Sequence, residues 1–169
     1  MKAIVYTSHT GHTTRYARLL GQSLALPVYS LQEARRALPK GEEVFYLGWL
    51  MAGFVKGYKK AARRWRVQAL GAVGLCDTGT ALEQVRRTNK LPPRLPLFTL
   101  QGGMDKTKLT GLYASMIKTL TKMTAQKKDP SPDDRRLLYL LENDADYVSP
   151  DNLKAVLSWW AEHQSCADA

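Results

Sequence analysis

Lys2-Ala3-Ile4-Val5-Tyr6-Thr7-Ser8-His9-Thr10-Gly11-His12-Thr13-Thr14-Arg15-Tyr16-Ala17 begins as an apolar strand, turns through hydroxyls around one glycine, and becomes a helix near Thr13 that carries Ala17, Leu19 and Leu20. A strand, a turn and a helix start in this order leave unpaired backbone N–H groups pointing outward where the helix dipole favours negative charge. The stretch therefore reads as an anion site, with phosphate the first expectation. The turn has neither the Gly-Lys-Ser/Thr of a Walker loop nor the three spaced glycines of a dinucleotide fingerprint. Hydroxyls at positions 7, 8, 10, 13 and 14 offer to hold a dianion without a countercharge. The alternative is a plain helix capped by Thr13 or Thr10 after a buried strand.

Working outward, Leu26 to Ser30 is a short strand candidate and Leu31 to Leu38 a short helix ended by Pro39 and Gly41. Val44 to Leu50 is a continuous apolar run, the pattern of a parallel strand covered on both faces. Strands separated by helical segments imply βαβ units with right-handed crossovers. Tyr58 to Arg66 reads as a strongly basic helix, Val67 to Leu75 as a fourth strand, Ala81 to Thr88 as a helix, and Leu97 to Gln101 as a fifth strand. Beyond it, Leu109, Leu112, Tyr113, Met116, Ile117, Leu120 and Met123 form one apolar helical stripe among lysines, and this helix is expected to pack on the sheet. Asp129-Pro130-Ser131-Pro132 breaks the pattern. Asp133 to Asn143 and Pro150 to Glu162 read as two more helices, and residues 164–169 as a frayed tail.

The 169 residues suit a single domain spanning 1–169. There is no leader-like start and no apolar run near the length of a membrane span, and the two cysteines, Cys76 and Cys166, lie far apart. These features point to a soluble protein of a reducing cytoplasm. A formal charge of +10 and a pI near 9.7 favour anionic partners: an acidic protein, an anionic membrane surface at the inner face, or nucleic acid. Nucleic acid ranks last, because Trp65 among arginines is the only hint and no recognised motif accompanies it.

Ile4, Val5, Tyr6, Ser8, Gly11, Thr13 and Ala17 stand at the spacing of the flavodoxin signature, and the chain resembles the flavodoxin-domain family. The resemblance implies an α/β fold, a doubly wound five-stranded parallel sheet of order 2-1-3-4-5, and FMN as cofactor. It implies that Ser8, His9, Thr10, Gly11, His12 and Thr13 hold the FMN phosphate. The histidines there are expected to lend backbone N–H groups. Trp49, Leu50, Met51, Ala52 and Gly53 would border the flavin ring, with Trp49 either stacking on it or turning into the helix layer. Cys76, Asp77, Thr78 and Gly79 would form the third loop.

Cys76 is expected to be a small buried residue and Asp77 a helix cap. Family members often place a Tyr in the third loop, and none is present, so an open outer ring face is expected. Gly102 and Gly103 either approach the flavin or turn the chain. A helical insertion at about 104–148, opening on Gly-Gly-Met-Asp and a Met-containing basic helix, resembles the group that includes the menaquinone-dependent protoporphyrinogen oxidase. The expected function is an FMN-dependent oxidoreductase or electron carrier, with a redox partner, quinone or porphyrinogen-type substrate. No acid–base dyad is visible. The alternative is a binding module of the same fold whose basic surface docks on an acidic protein or anionic membrane.

Overall fold

The side-chain alternation of the strands decides which helix covers which face of the sheet. The computed structural model describes residues 1–165. In chain order the elements are β1 (Ala3–Thr7), α1 (His12–Leu24), β2 (Val28–Ser30), α2 (Leu31–Ala37), β3 (Glu43–Met51), β4 (Phe54–Val55), α3 (Tyr58–Ala62), β5 (Arg66–Gly74) and α4 (Leu82–Asn89). There follow β6 (Leu97–Gln101), β7 (Gly103–Met104), α5 (Gly111–Ala125), α6 (Pro132–Glu142), β8 (Ala145–Asp146) and α7 (Lys154–Ser165). Residues 166–169, which include Cys166 and most of the tail expected to fray, lie outside the described residues.

Val5, Tyr46 and Leu70 are register partners across β1, β3 and β5, and their side chains share one core with Ala34 of α2, Ala61 of α3 and Val85 of α4. The next row down, Ile4, Phe45 and Ala69, belongs to the opposite core with Tyr16, Ala17 and Leu20 of α1 and Val156 of α7. A one-residue slip of any strand would exchange the two sets, so register and helix placement support each other. Apolar residues on both faces are what a parallel sheet covered by helices requires.

The five parallel strands run in the order β2-β1-β3-β5-β6, against the expected 2-1-3-4-5. The difference arises at β4, a two-residue strand off the main path that pairs antiparallel with β3 where the sequence offers only a loop. Ala52 (φ 49°) and Gly53 (φ 79°) form its turn, both at positive φ as a tight two-residue hairpin demands.

Other expectations change as well. The basic helix shortens to α3, because Arg66 already pairs with Glu43 in the sheet. Trp65 is 3% exposed and donates its indole N–H to the Pro39 carbonyl at 2.9 Å, so it is a core residue with no face for a base. The last helix is preceded by a 3-10 turn over Pro150–Leu153, capped by Ser149.

The insertion has a neck that the sequence does not announce. β7 and β8 pair antiparallel, Gly103 with Asp146 and Met104 with Ala145. A Cβ at Gly103 would lie 2.0 Å from the Ala145 carbonyl oxygen, so this glycine permits the neck to close. Gly102 is bonded on both sides, its N–H to Gly74 O at 2.7 Å and its carbonyl from Tyr147 N–H at 2.8 Å. Above the neck, α5 does not lie flat on the sheet as expected. It packs against α6 and crosses the carboxyl ends of β3 and β5. Among the described residues no helix is long and apolar enough to cross a membrane.

Candidate functional site

The first loop divides its hydroxyls between structure and opening. Thr7 donates to the Lys56 carbonyl at 2.7 Å and is bonded to the Tyr46 hydroxyl at 2.9 Å, so it braces the sheet. Ser8 Oγ accepts from the Gly11 N–H at 3.1 Å, and Thr10 Oγ1 is bonded to His12 Nδ1 at 2.9 Å. Gly11, at φ 102°, is the residue before α1, and neither Thr10 nor Thr13 caps the helix. With no side-chain cap and no acidic residue in its first turn, α1 offers its first N–H groups to an anion.

Above this helix start lies a cavity of about 610 Å³ bordered by Thr10, Gly11, His12, Thr14, Arg15 and Arg18. Lys108, Asp105, Asp144 and Asp146 complete its rim. Lys108 pairs with Asp105 at 2.6 Å and Arg15 with Asp146, which leaves Arg18 as a cation without an ion pair among the described residues. The hydrogen bond from Lys108, with help from Thr107, holds the Asp105 carboxyl down to about 2. Burial pushes the Asp146 carboxyl up, and Arg15 and the Val148 N–H outweigh it, so Asp146 too ends below the ordinary carboxylate range.

Burial lowers the His12 imidazole from its ordinary 6.5; Asp146 and Asp105 oppose the shift, and Arg15 and Lys108 add to it. The folded protein therefore favours neutral His12, and the unfolded chain binds the proton more readily. This contribution to stability is complete above about pH 6.5 and is lost as pH falls toward the lower folded value. Melting temperature should decline between pH 7.5 and 5.0, and less steeply in His12→Gln. Parallel slopes for the two proteins would rule His12 out as the source.

The second loop stands as a wall. Trp49, Leu50, Met51, Ala52 and Gly53 all border a cavity of about 380 Å³ at the carboxyl ends of β3 and β5. Trp49 resolves neither into the helix layer nor into solvent: it stacks on His9 with centroids 5.1 Å apart at 21°, and Lys56 Nζ lies 5.8 Å from its ring. The wall is held from behind by Asn89 at the end of α4. Its buried side chain accepts from the Val55 N–H at 2.9 Å and donates to the carbonyls of Gly53 and Val85, both at 2.8 Å. No motif distinguishes Asn89 in the sequence, since a polar residue at a helix end is ordinary there.

The third loop contributes less than expected. Cys76 borders the 380 Å³ cavity, whereas Asp77, Thr78 and Gly79 do not. Thr78 Oγ1 accepts from the Gln101 N–H at 2.9 Å, and the Gly79 N–H donates to Thr99 O at 3.0 Å, so both are tied to β6. Cys76 is exposed rather than buried in the core; desolvation and the nearby Asp77 and Asp133 still raise its thiol pKa. Asp77 does not cap α4, whose cap position is Ala81; it pairs with Arg136 of α6 at 2.5 Å and so binds the insertion to the loop.

The third loop holds no Tyr, and one borders the cavity from the insertion instead. Tyr113 of α5 lies 4.4 Å from the His9 ring and 5.2 Å from Trp49, centroid to centroid. Met116, Ile117 and Leu120 of the same helix and Leu137 of α6 complete the apolar roof. A narrow cleft of about 110 Å³, bordered by His12, Thr13 and Thr10 at one end and by Trp49, Leu50 and Leu75 at the other, lies between the helix start and this cavity. Thr13, 1% exposed, lines that cleft. No protein-family model matches this chain, and comparison with curated proteins and with solved structures returned no match.

Proposed function

We propose that this protein binds FMN and acts as a flavodoxin-like oxidoreductase or electron-transfer protein. One observation carries the reading: an anion-receptive helix start, a narrow cleft with Thr10, His12 and Thr13 on its loop side, and a mostly apolar cavity follow one another at the carboxyl ends of β1 and β3. The chain reverses direction of sheet growth between these strands, and open α/β sheets bind ligands in the crevice at such a switch point. The residues suit the group. Thr10, Gly11, His12 and Thr13, with Ser8 bracing the turn, would take the phosphate, and Trp49 to Gly53, Cys76 and Tyr113 would enclose the ring. Bound FMN supplies one- and two-electron transfer, while the protein orients it and tunes its potential. A redox partner, quinone or porphyrinogen-type substrate would approach across the insertion that roofs the cavity.

Titration of the purified protein with FMN should quench flavin fluorescence and saturate. Thr13→Ala should weaken binding by about 10-fold or more, as expected for a lost hydrogen bond to a charged group of about 1.5–3 kcal/mol. A chain that leaves FMN fluorescence unchanged at every concentration refutes the cofactor reading.

A second reading has its own support on α5, where exposed Leu120 (40%) and Met123 (64%) sit among Lys118 and Lys122. An apolar edge flanked by cations suits an anionic membrane surface. Flotation with anionic vesicles at low salt, lost at moderate salt, would support docking, and no flotation at either dismisses it.

A further inference from the structure

We infer that His9, placed by its position in the first loop among the phosphate-holding residues, is instead the polar side chain that meets the ring of the bound cofactor. The inference rests on the FMN reading above. His9 borders the 380 Å³ cavity and the narrow cleft, and it does not border the 610 Å³ cavity over the helix start, where Thr10, Gly11 and His12 stand. Its imidazole is held between Trp49, stacked at 5.1 Å, and Tyr113 at 4.4 Å. Between these two rings His9 Nε2 is buried and has no hydrogen-bond partner among the described residues.

A buried imidazole nitrogen without a partner is costly, and in a native structure it calls for a specific explanation, a ligand group that completes it being one. The cavity lining is otherwise dominated by apolar groups: Leu50, Met51, Leu109, Met116 and Ile117 offer carbon and sulfur only. An isoalloxazine has one apolar side and one edge of nitrogens and carbonyl oxygens. Walls of this kind take the first, and a small number of polar side chains, here His9 and Gln84, orient the second. The aromatic neighbours fix the imidazole plane and cover Nε2, so a small shift of Trp49 or Tyr113 opens the nitrogen to the arriving ring.

The placement separates ring contact from phosphate contact, and FMN and riboflavin, which differ only in the phosphate, distinguish them. His9→Phe keeps an aromatic ring between Trp49 and Tyr113 and removes the nitrogen. It should weaken FMN and riboflavin alike by about tenfold, equivalent to about 1.4 kcal/mol, while His9→Gln, which retains a hydrogen-bonding group, should recover part of both affinities. Because the ligand-free protein loses an unpaired buried nitrogen, His9→Phe should also melt no lower than the parent and up to about 2–4 °C higher. Thr10→Ala, at a residue that borders the cavity over the helix start, serves as the phosphate-end control, weakening FMN and sparing riboflavin. If His9→Phe weakens FMN and leaves riboflavin unchanged, or changes neither, the ring assignment is overturned. Should the parent protein bind neither flavin, the cofactor reading itself has failed, a result distinct from either.

Discussion

Gly57→Ala is expected to cost about 3–5 kcal/mol, a loss that combines backbone strain with a close contact inside the core. Gly57 is held at φ 81°, and a Cβ there would lie 2.1 Å from the Tyr46 hydroxyl and 2.8 Å from Thr7 Cγ2. Neither neighbour is free to retreat. Tyr46 is fully buried and donates to the Lys56 carbonyl at 2.8 Å, and Thr7 donates to the same oxygen at 2.7 Å. Burial holds the Tyr46 hydroxyl firmly in its protonated, donating form. At about 2–4 °C per kcal/mol for a chain of this size, the melting temperature should drop by about 6–20 °C. Tyr46→Phe removes the oxygen in the way and leaves the Lys56 carbonyl its bond from Thr7. Introduced together, the two changes should therefore cost less than their sum by at least about 1 kcal/mol in chemical denaturation. Strict additivity would mean that the strain lies in the backbone angle alone.

The second large effect falls on the wall of the site. Asn89→Leu keeps the side-chain volume and removes three side-chain hydrogen bonds, two of which join α4 to the β3–β4 hairpin. The Val55 N–H and the Gly53 carbonyl lose their partners, and each such group costs about 1–3 kcal/mol when buried. Because the Val55 N–H is buried and the Gly53 carbonyl only partly so, a total of about 2–4 kcal/mol is expected, or about 5–15 °C in melting temperature. The hairpin carries Trp49 to Gly53, so ligand affinity in the variant should decline even at temperatures where it is fully folded. Unaltered FMN binding by a folded Asn89→Leu protein would show that this wall does not meet the ligand.

The strand series is legible because its signal is local. Val44 to Leu50 has no polar residue to give it one solvated face, and it becomes β3, apolar on both sides and central in the sheet. The break at Asp129-Pro130-Ser131-Pro132 is legible too, and α6 begins within it at Pro132, one residue before the expected Asp133, behind a capping box of Ser131 and Asp134. The hairpin at Ala52 and Gly53 escapes such reading, since alanine at positive φ has no intrinsic preference for it; Asn89 holds the segment from another element. Asp77 shows the same limit. As a residue before a helix it resembles a cap, yet an arginine on α6 claims its carboxylate.

The order of strands and helices follows from residue periods of two and 3.6, and the positive charge and the hydroxyl-rich turn from residue identity, all of which each segment carries within itself. Which side chains meet at the carboxyl end of the sheet does not. Tyr113 reaches His9 and Trp49 only because the β7–β8 neck closes and α5 is set across the strand ends, and Thr7 turns to Lys56 only because β1 lies beside β3. Those contacts are settled by packing between segments distant in the chain, where distance and direction depend on every element at once.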